Sequence, residues 1–414
     1  MKRAGHDHEA ELVPLDGYRS GILSRIMPLQ PIELALLEAH GCVLAEDVHA
    51  AEAIPHFDNS AMDGYAVVAG GVEAATPLEI LGESAAGSPA DVTVVPGTAV
   101  RIMTGAQIPV GADAVVPVER ADEDDGKVVL AEVPRAGDHV RRAGEDVQAG
   151  AVVLPAGARL QAAALGMLAS VGRDRVRVHP RPRLVVLSTG DELVDPGLRL
   201  GPGQLHDSNS FVLTAQAREA GATCYRQPIV PDDTEQLREA FEGALSQADV
   251  LLTSGGVSAG RYDHVRDVLA ELGDVAFTKV AMKPGMPQAF GFIEGEGDPV
   301  PCFGLPGNPV SAFVSFEIFV RPAIRRLQGR SDLNRPRIAA VLDEAVDTPP
   351  GKVTFLRVTL QRGEGTWRAS TTGPQGSGLL HSVVAAHGLA EIPAERTRVE
   401  RDERVLVHLL VDAT

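Results

Sequence analysis

The stretch ADVLLTSGGVSAGRYD, Ala248–Asp263, decides the fold of this chain. A short apolar run, Val250-Leu251-Leu252, breaks into Thr253-Ser254-Gly255-Gly256, and an acid follows at Asp263. This is the pattern of a buried parallel strand whose carboxyl end opens into a ligand loop. Glycine lets backbone N–H groups approach an oxyanion closely, serine and threonine add donors, and an acid there suits a metal ion beside a phosphate. RLVVLSTGDEL, Arg183–Leu193, repeats the pattern upstream. Two such strand ends in one unit point to a site for a phosphorylated ligand.

Around them, residues 180–328 alternate strand and helix patterns. Strands are expected at Leu184–Leu187, Cys224–Ile229 and Val250–Leu252, and helices at Ser210–Ala220, from Pro231-Asp232-Asp233-Thr234 to Ser246, and at His264–Leu272. That alternation predicts a central doubly wound α/β domain. FTKVAMKPG, Phe277–Gly285, reads as a strand entering a turn. In GLPGNPVSA, Asn308 suits an N-cap and Pro309 the first helical position of a helix running to about Arg326.

Residues 1–50 read as helical, with helical spacing in Ile22–Met27 and Pro31–Ala39 and a stop at Gly41. Residues 51–140 read as an inserted β-rich domain with short runs at Val92–Val95, Ala99–Met103 and Ala114–Val118. Residues 141–179 carry a strand at Val152–Leu154 and a helix at Leu160–Val171. Together with 1–50 they are expected to form a discontinuous helical/linker domain. Residues 332–414 predict a C-terminal β-barrel, with strands at Ile338–Leu342, Thr354–Leu360, Trp367–Ser370 and Val405–Val411.

Composition narrows the function classes. A net charge of −18 argues against a broad nucleic-acid footprint, and 4% aromatic residues leave few stacking platforms. Only five lysines stand against 33 arginines, and two of the five, Lys279 and Lys283, sit four residues apart. Cys42, Cys224 and Cys302 are scattered and form neither a metal pattern nor a disulfide framework. The start, MKRAGHDHEAEL, lacks a secretory apolar region, and no apolar run approaches the roughly 20 residues that span a bilayer. A soluble, reducing, cytoplasmic setting is expected, without a membrane partner.

Several clusters carry candidate chemistry. Asp191 and Glu192 sit at the carboxyl edge of the first α/β strand, where ligands of open sheets bind. With Asp263 they are candidate Mg²⁺ ligands, and Lys279 and Lys283 candidate partners for a phosphate or another oxyanion. All five are expected in one shared pocket. The loops Ser188-Thr189-Gly190 and Ser254-Gly255-Gly256, with Ser258, are candidate substrate contacts. Asp207 and Ser210 suit either helix capping or anion binding. In FDNSAMDGYAV, Phe57–Val67, Asp63 and Gly64 follow a polar turn, which is equally an Asx-type turn entering a strand. Thr104-Gly105 ends a strand with a hydroxyl and a bare backbone, which a plain hairpin also explains. Arg357 offers a multi-donor fork and Ser377 lies in a glycine-rich turn, both also ordinary in a barrel. No GxxxxGK[ST], GxGxxG or HExxH motif occurs.

Taken in order, DNSAMDGYA, RIMTGA, RRAGEDV, STGDEL, SGGVSAG followed by YD, KPG and GLPGNPVSA resemble the molybdopterin molybdenumtransferase family, to which the C-terminal domain of gephyrin is similar. The resemblance covers most of the chain. It implies insertion of molybdate into adenylylated molybdopterin with Mg²⁺ present, releasing AMP and molybdenum cofactor. It implies an elongated homodimer of four-region chains, with other cofactor-biosynthesis proteins and recipient molybdoenzymes as partners. Carried over by motif, the functional positions are Asp63, Thr104, Asp191, Glu192, Asp232, Asp263, Lys279, Lys283, Arg357 and Ser377, with Pro306, Asn308 and Pro309 at the substrate. Asp63 and Thr104 are expected to act within their own subunit or across the dimer. Two positions depart from the family: Met286 replaces a common basic residue after KPG, and Pro374 a common histidine before QGS. The alternatives are adenylylation of molybdopterin by ATP, through the shared α/β domain, and a gephyrin-like binding scaffold without catalysis. Tungstate is an alternative metal.

Overall fold

The computed structural model describes residues 12–257, 264–295, 297–363 and 365–411. Asp263 and Ser258 lie outside the described residues. The chain divides into two compact units, one taking in residues 1–32, 41–45 and 178–414, the other residues 33–40 and 46–177.

In the first unit, the chain from 183 to 305 runs β1 (Arg183–Ser188), α1 (Asn209–Glu219), β2 (Thr223–Arg226), α2 (Thr234–Leu245), β3 (Val250–Ser254), α3 (His264–Leu272), β4 (Gly273–Lys279), β5 (Pro287–Ile293) and β6 (Val300–Leu305). They form one six-stranded sheet in the order β2-β1-β3-β6-β5-β4. β2, β1, β3 and β6 are parallel, and β5 and β4 return antiparallel.

The period-2 side-chain alternation of β1 sorts its residues to two cores. Leu184 and Val186 pack with Leu213 and Ala217 of α1 and with Phe319, while Val185 and Leu187 pack with Leu237 and Phe241 of α2 and Val265 and Leu269 of α3. Helices therefore cover both faces, as the doubly wound reading expects. Asp233 caps α2, its carboxylate accepting from the Gln236 N–H at 3.0 Å. Asp207 likewise accepts from the Ser210 N–H at 3.0 Å and is buried, so capping accounts for that pair. The helix after β6 is not continuous. It runs Pro309–Ser315, passes through a π turn at Phe316–Val320 and resumes as Arg321–Leu327, and Asn308 holds the cap position without a side-chain capping bond.

The C-terminal strands are β7 (Arg337–Leu342), β8 (Val353–Arg362), β9 (Trp367–Thr371), β10 (Gly388–Ile392) and β11 (Arg404–Leu409). They pair in the cycle β8-β9-β7-β11-β10-β8, which closes a barrel around Leu342, Val358, Ala390 and Val407. Between β4 and β5 the chain leaves the α/β sheet, and Met282–Lys283 pairs in parallel with Val353 and Thr354 of β8.

The second unit contains a six-stranded sheet ordered Ala114–Pro117, Gly64–Val67, Thr98–Ile102, Pro77–Ser84, Lys127–Leu130 and Ala121–Asp124. Tyr65, Val67, Leu78, Val116 and Val128 fill its core. The helix expected near 160–171 spans Ala162–Ser170 and ends before Gly172, whose φ is +76°.

Two local expectations are corrected. Val92–Val95 forms no strand. Pro31–Ala39 is not a helix: Ile32–Ala35 is extended, and the Leu36 N–H bonds to the Asp174 carbonyl at 3.1 Å. A long-range backbone partner outweighs weak helical propensity there.

Candidate functional site: two adjoining clefts at the sheet edge

β1, β3 and β6 end side by side, with Ser188 in register with Ser254 and Ser254 with Leu305. The three loops that follow line a cleft of about 390 Å³ with Thr189, Gly190, Gly255, Gly256, Pro306 and Asn308. Glu192, Asp232, His264 and Pro287 complete it. Gly190 is required by geometry. Its φ is +146°, and a Cβ there would stand 2.6 Å from the Glu192 carboxylate. Gly190→Ala is expected to cost about 1–3 kcal/mol of stability, the usual size of such backbone strain, measured by urea unfolding.

Carboxylates and backbone share this cleft. Asp191 is exposed, and its carboxylate accepts from the Asp232 N–H at 3.1 Å, which fixes the turn that carries Asp232. The carboxylates of Glu192 and Asp232 have no hydrogen-bond partner among the described residues, so both are available to a ligand. His264 is held through Nδ1, 3.1 Å from the Thr234 hydroxyl. Asn209, which sequence reasoning passed over inside HDSNS, ties two of the loops. Its amide donates to the Ser254 hydroxyl at 2.9 Å and to the Gly307 carbonyl at 2.7 Å. Only the folded register shows that role.

A second cleft, of about 480 Å³, is lined by Lys283, Gly285, Met286, Ser311, Lys352 and Ser377, with Met282, Pro284, Gln375 and Gly376. It adjoins the first: Met286 lines one and Pro287 the other, and Asn308 and Ser311 lie one helical turn apart. The Val310 N–H donates to the Ser377 carbonyl at 3.0 Å and fastens the barrel loop to this helix. The expectation of one shared pocket is thereby corrected. Lys283 belongs to the second cleft because Met282–Lys283 crosses to β8. Lys279 ends β4 opposite Pro287 and lines neither cleft.

Three other expectations change. Arg357 was expected to bind an anion. It is 1% exposed, and its guanidinium donates to the carbonyls of Pro374, Gln375 and Gly376 and to the Ser382 hydroxyl at 3.0–3.3 Å. It builds the loop that carries Ser377 instead of touching the cleft, and burial pulls its pKa down to about 10. Ser188 is fully buried within the sheet. Ser254 is 3% exposed, lines neither cleft and holds Asn209. Pro309 opens the helix without lining either cleft.

Asp63 and Thr104 belong to the second unit, where they meet: the Thr104 N–H donates to the Asp63 carboxylate at 2.6 Å. Asp63 also lines a cavity of about 710 Å³ with Tyr65, Arg101, Met103 and Glu123. The Thr104 N–H, and then its hydroxyl, hold the Asp63 carboxyl below the usual carboxylate range. Thr104→Val is expected to remove only the hydroxyl's share. Carbon-13 NMR titration should then show the Asp63 midpoint rise and still stay below that of an exposed aspartate.

Chemically, the first cleft offers backbone and carboxylates to a metal-bound phosphate, and the second offers ammonium and hydroxyl groups to an oxyanion. Among the described residues no cluster of three or more metal-ligating side chains occurs. A pair such as Glu192 and Asp232 fits Mg²⁺, which is bound by one or two carboxylates together with substrate phosphates.

Comparison with known proteins identifies the family. Residues 13–172 match the MoeA N-terminal region (domain I and II), 185–326 a probable molybdopterin binding domain, and 339–410 the MoeA C-terminal region (domain IV). Molybdopterin molybdenumtransferase 2 of Mycobacterium tuberculosis is 43% identical over 381 residues, covering 89% of this chain and 93% of its own length. Molybdopterin molybdenumtransferase of Haemophilus influenzae is 38% identical over 407 residues, covering 96% and 100%. A crystal structure of the molybdopterin biosynthesis MoeA protein from Pyrococcus horikoshii superposes with a TM-score of 0.82 at 31% identity, covering 96% of this chain and 99% of that one. With its acid-lined and lysine-lined clefts at one sheet edge, the chain belongs to the MoeA family of molybdopterin molybdenumtransferases.

Proposed function

We propose that the chain is a transferase that inserts molybdate into adenylylated molybdopterin and releases AMP and molybdenum cofactor. The observation that carries this reading is the pairing of two adjoining clefts of opposite chemical character at one sheet edge. The first suits a pyrophosphate linkage. The loops at Gly190, Gly255 and Gly256 line it without side chains, so a phosphate can approach the backbone closely, and Glu192 and Asp232 would hold Mg²⁺ against it. Bound there, Mg²⁺ supplies neutralisation of the phosphate charge. Asp191 keeps the Asp232 turn in place, and Asp263 is assigned to the same metal by the family motif. The second cleft suits the incoming molybdate, with Lys283 as cation and Ser377 as hydroxyl donor. Lys279, beside Pro287, supplies positive charge near the junction. Positioning and electrostatic stabilisation carry reactions of this type.

The same reading includes a cytoplasmic homodimer, the four-region division of the chain, and roles for Asp63 and Thr104 in the reaction, all supported by the family motifs. Sedimentation equilibrium tests the dimer. The reaction is tested with purified adenylylated molybdopterin, molybdate and Mg²⁺. Molybdate-dependent AMP release is expected, and its absence would sink the reading. Adenylylation of molybdopterin by ATP leaves the acid-free cleft and its barrel wall without a task.

A further inference from the structure

The second cleft contains a cation that no motif of the chain singles out. Lys352 precedes β8 and lines the cleft together with Lys283. Lys283 pairs in register with Thr354, and Lys352 sits in the bend two residues before Thr354. Both side chains line the one cleft. Two of the chain's five lysines meet here although they are 69 positions apart in sequence.

The surroundings favour an anion. No aspartate or glutamate lines the cleft, although the chain carries a net charge of −18. Among the described residues neither ammonium has an ion-pair or hydrogen-bond partner. Ser311 is 4% exposed and lines the same space, and its hydroxyl has no partner among the described residues. That hydroxyl can donate to a ligand held in the cleft. Two unpaired ammonium groups beside free hydroxyls match a small tetrahedral dianion better than a singly charged phosphate ester. Lysine suits this task as a compact point charge with three donors.

We propose that Lys352 is a substrate-binding residue that, with Lys283, neutralises the molybdate dianion in this cleft. The inference rests on the proposed reaction for the identity of the anion, and it is tested by binding alone. Molybdate and, separately, inorganic phosphate are titrated calorimetrically into the full chain, into Lys352→Met, into Lys352→Arg and into Lys127→Met, a charge control in the other unit.

The Lys352→Met change is expected to weaken molybdate binding about 10- to 100-fold, the size of one charge-assisted hydrogen bond. Lys352→Arg should recover most of the loss, and Lys127→Met should bind as the parent does. In turnover, Lys352→Met should raise KM for molybdate with little change in kcat. Melting temperatures of the variants report whether they fold. Unchanged molybdate binding in Lys352→Met overturns the inference, as does an equal loss in Lys127→Met or a parent that binds phosphate as tightly as molybdate. A parent chain that binds molybdate through Lys352 but releases no AMP would overturn the proposed reaction and leave this assignment standing.

Discussion

Glu192→Gln is expected to leave the chain folded and to lower molybdate-dependent AMP release by about 10²–10³-fold, the loss typical of removing one preorganised electrostatic group. The substitution keeps the shape of the side chain and removes its charge. Glu192 lines the first cleft, and its carboxylate is not spent on any described protein group. Its charge is therefore not used by the fold. Asp232→Asn should behave similarly, because Asp232 faces the same cleft and only its backbone N–H is engaged by Asp191. Raising Mg²⁺ should recover part of the activity if these acids hold the metal. An unaltered rate in both variants would remove the first cleft from the reaction, whatever the activity of the chain.

Glu317→Ala is expected to lower the unfolding free energy by about 3–5 kcal/mol, the usual cost of leaving a buried ion without its partner. Glu317 sits in the π turn and its carboxylate is 3% exposed. It accepts from Arg321 Nε at 2.6 Å, from Arg335 Nε at 2.7 Å and from Gln216 Nε2 at 2.8 Å. Alanine would leave Arg321, whose side chain is 1% exposed, beside a second guanidinium with only the carboxylate of exposed Glu219, at 3.4 Å, to share between them. Arg335 lies on the link to the barrel and also donates to the Leu410 carbonyl at 3.0 Å, so the loss should loosen that link. Replacing Glu317 and Arg321 together by apolar residues should cost much less than the sum of the single changes. Burial pushes the Glu317 carboxyl upward, but Arg321 and Arg335 outweigh it and hold the group below its ordinary range. The network's contribution is accordingly complete above the ordinary carboxylate pKa and is lost as pH falls through the lowered folded value. Urea unfolding at a series of acidic pH values should show the parent and Glu317→Ala converging.

The α/β domain was legible because its signals are local. Apolar runs end in glycine and hydroxyl residues, and Asp233 and Gly221 mark helix boundaries with their own backbone chemistry. The barrel was legible in four of its strands. β10 was missed because GLAEI is short and carries an acid, and its pairing with β8 and β11 is what makes it a strand. Pro31–Ala39 misled because spacing of apolar residues cannot register a backbone partner as distant as Asp174.

Of the candidate site, the loop glycines, Glu192 and Lys283 were readable from residue type and position, and Asp232 and Ser377 only through the family resemblance. The split into two clefts was not, since it depends on which strand Met282–Lys283 joins. Nor was the task of Arg357, which looks like an anion fork in sequence and is consumed by three carbonyls in space. Asn209, Ser311 and Lys352 gave no signal of their own, because each acquires its role from neighbours far along the chain.

The clasp between Met282–Lys283 and β8 also sets an order of events at the ribosome. Every residue named in the first cleft lies between positions 189 and 308, whereas the second needs Lys352 and the 375–377 loop. A nascent polypeptide that has emerged only as far as the helix ending at Leu327 already carries every residue named in the first cleft. The second cleft is complete only once the 375–377 loop has followed, so the two clefts are finished in chain order.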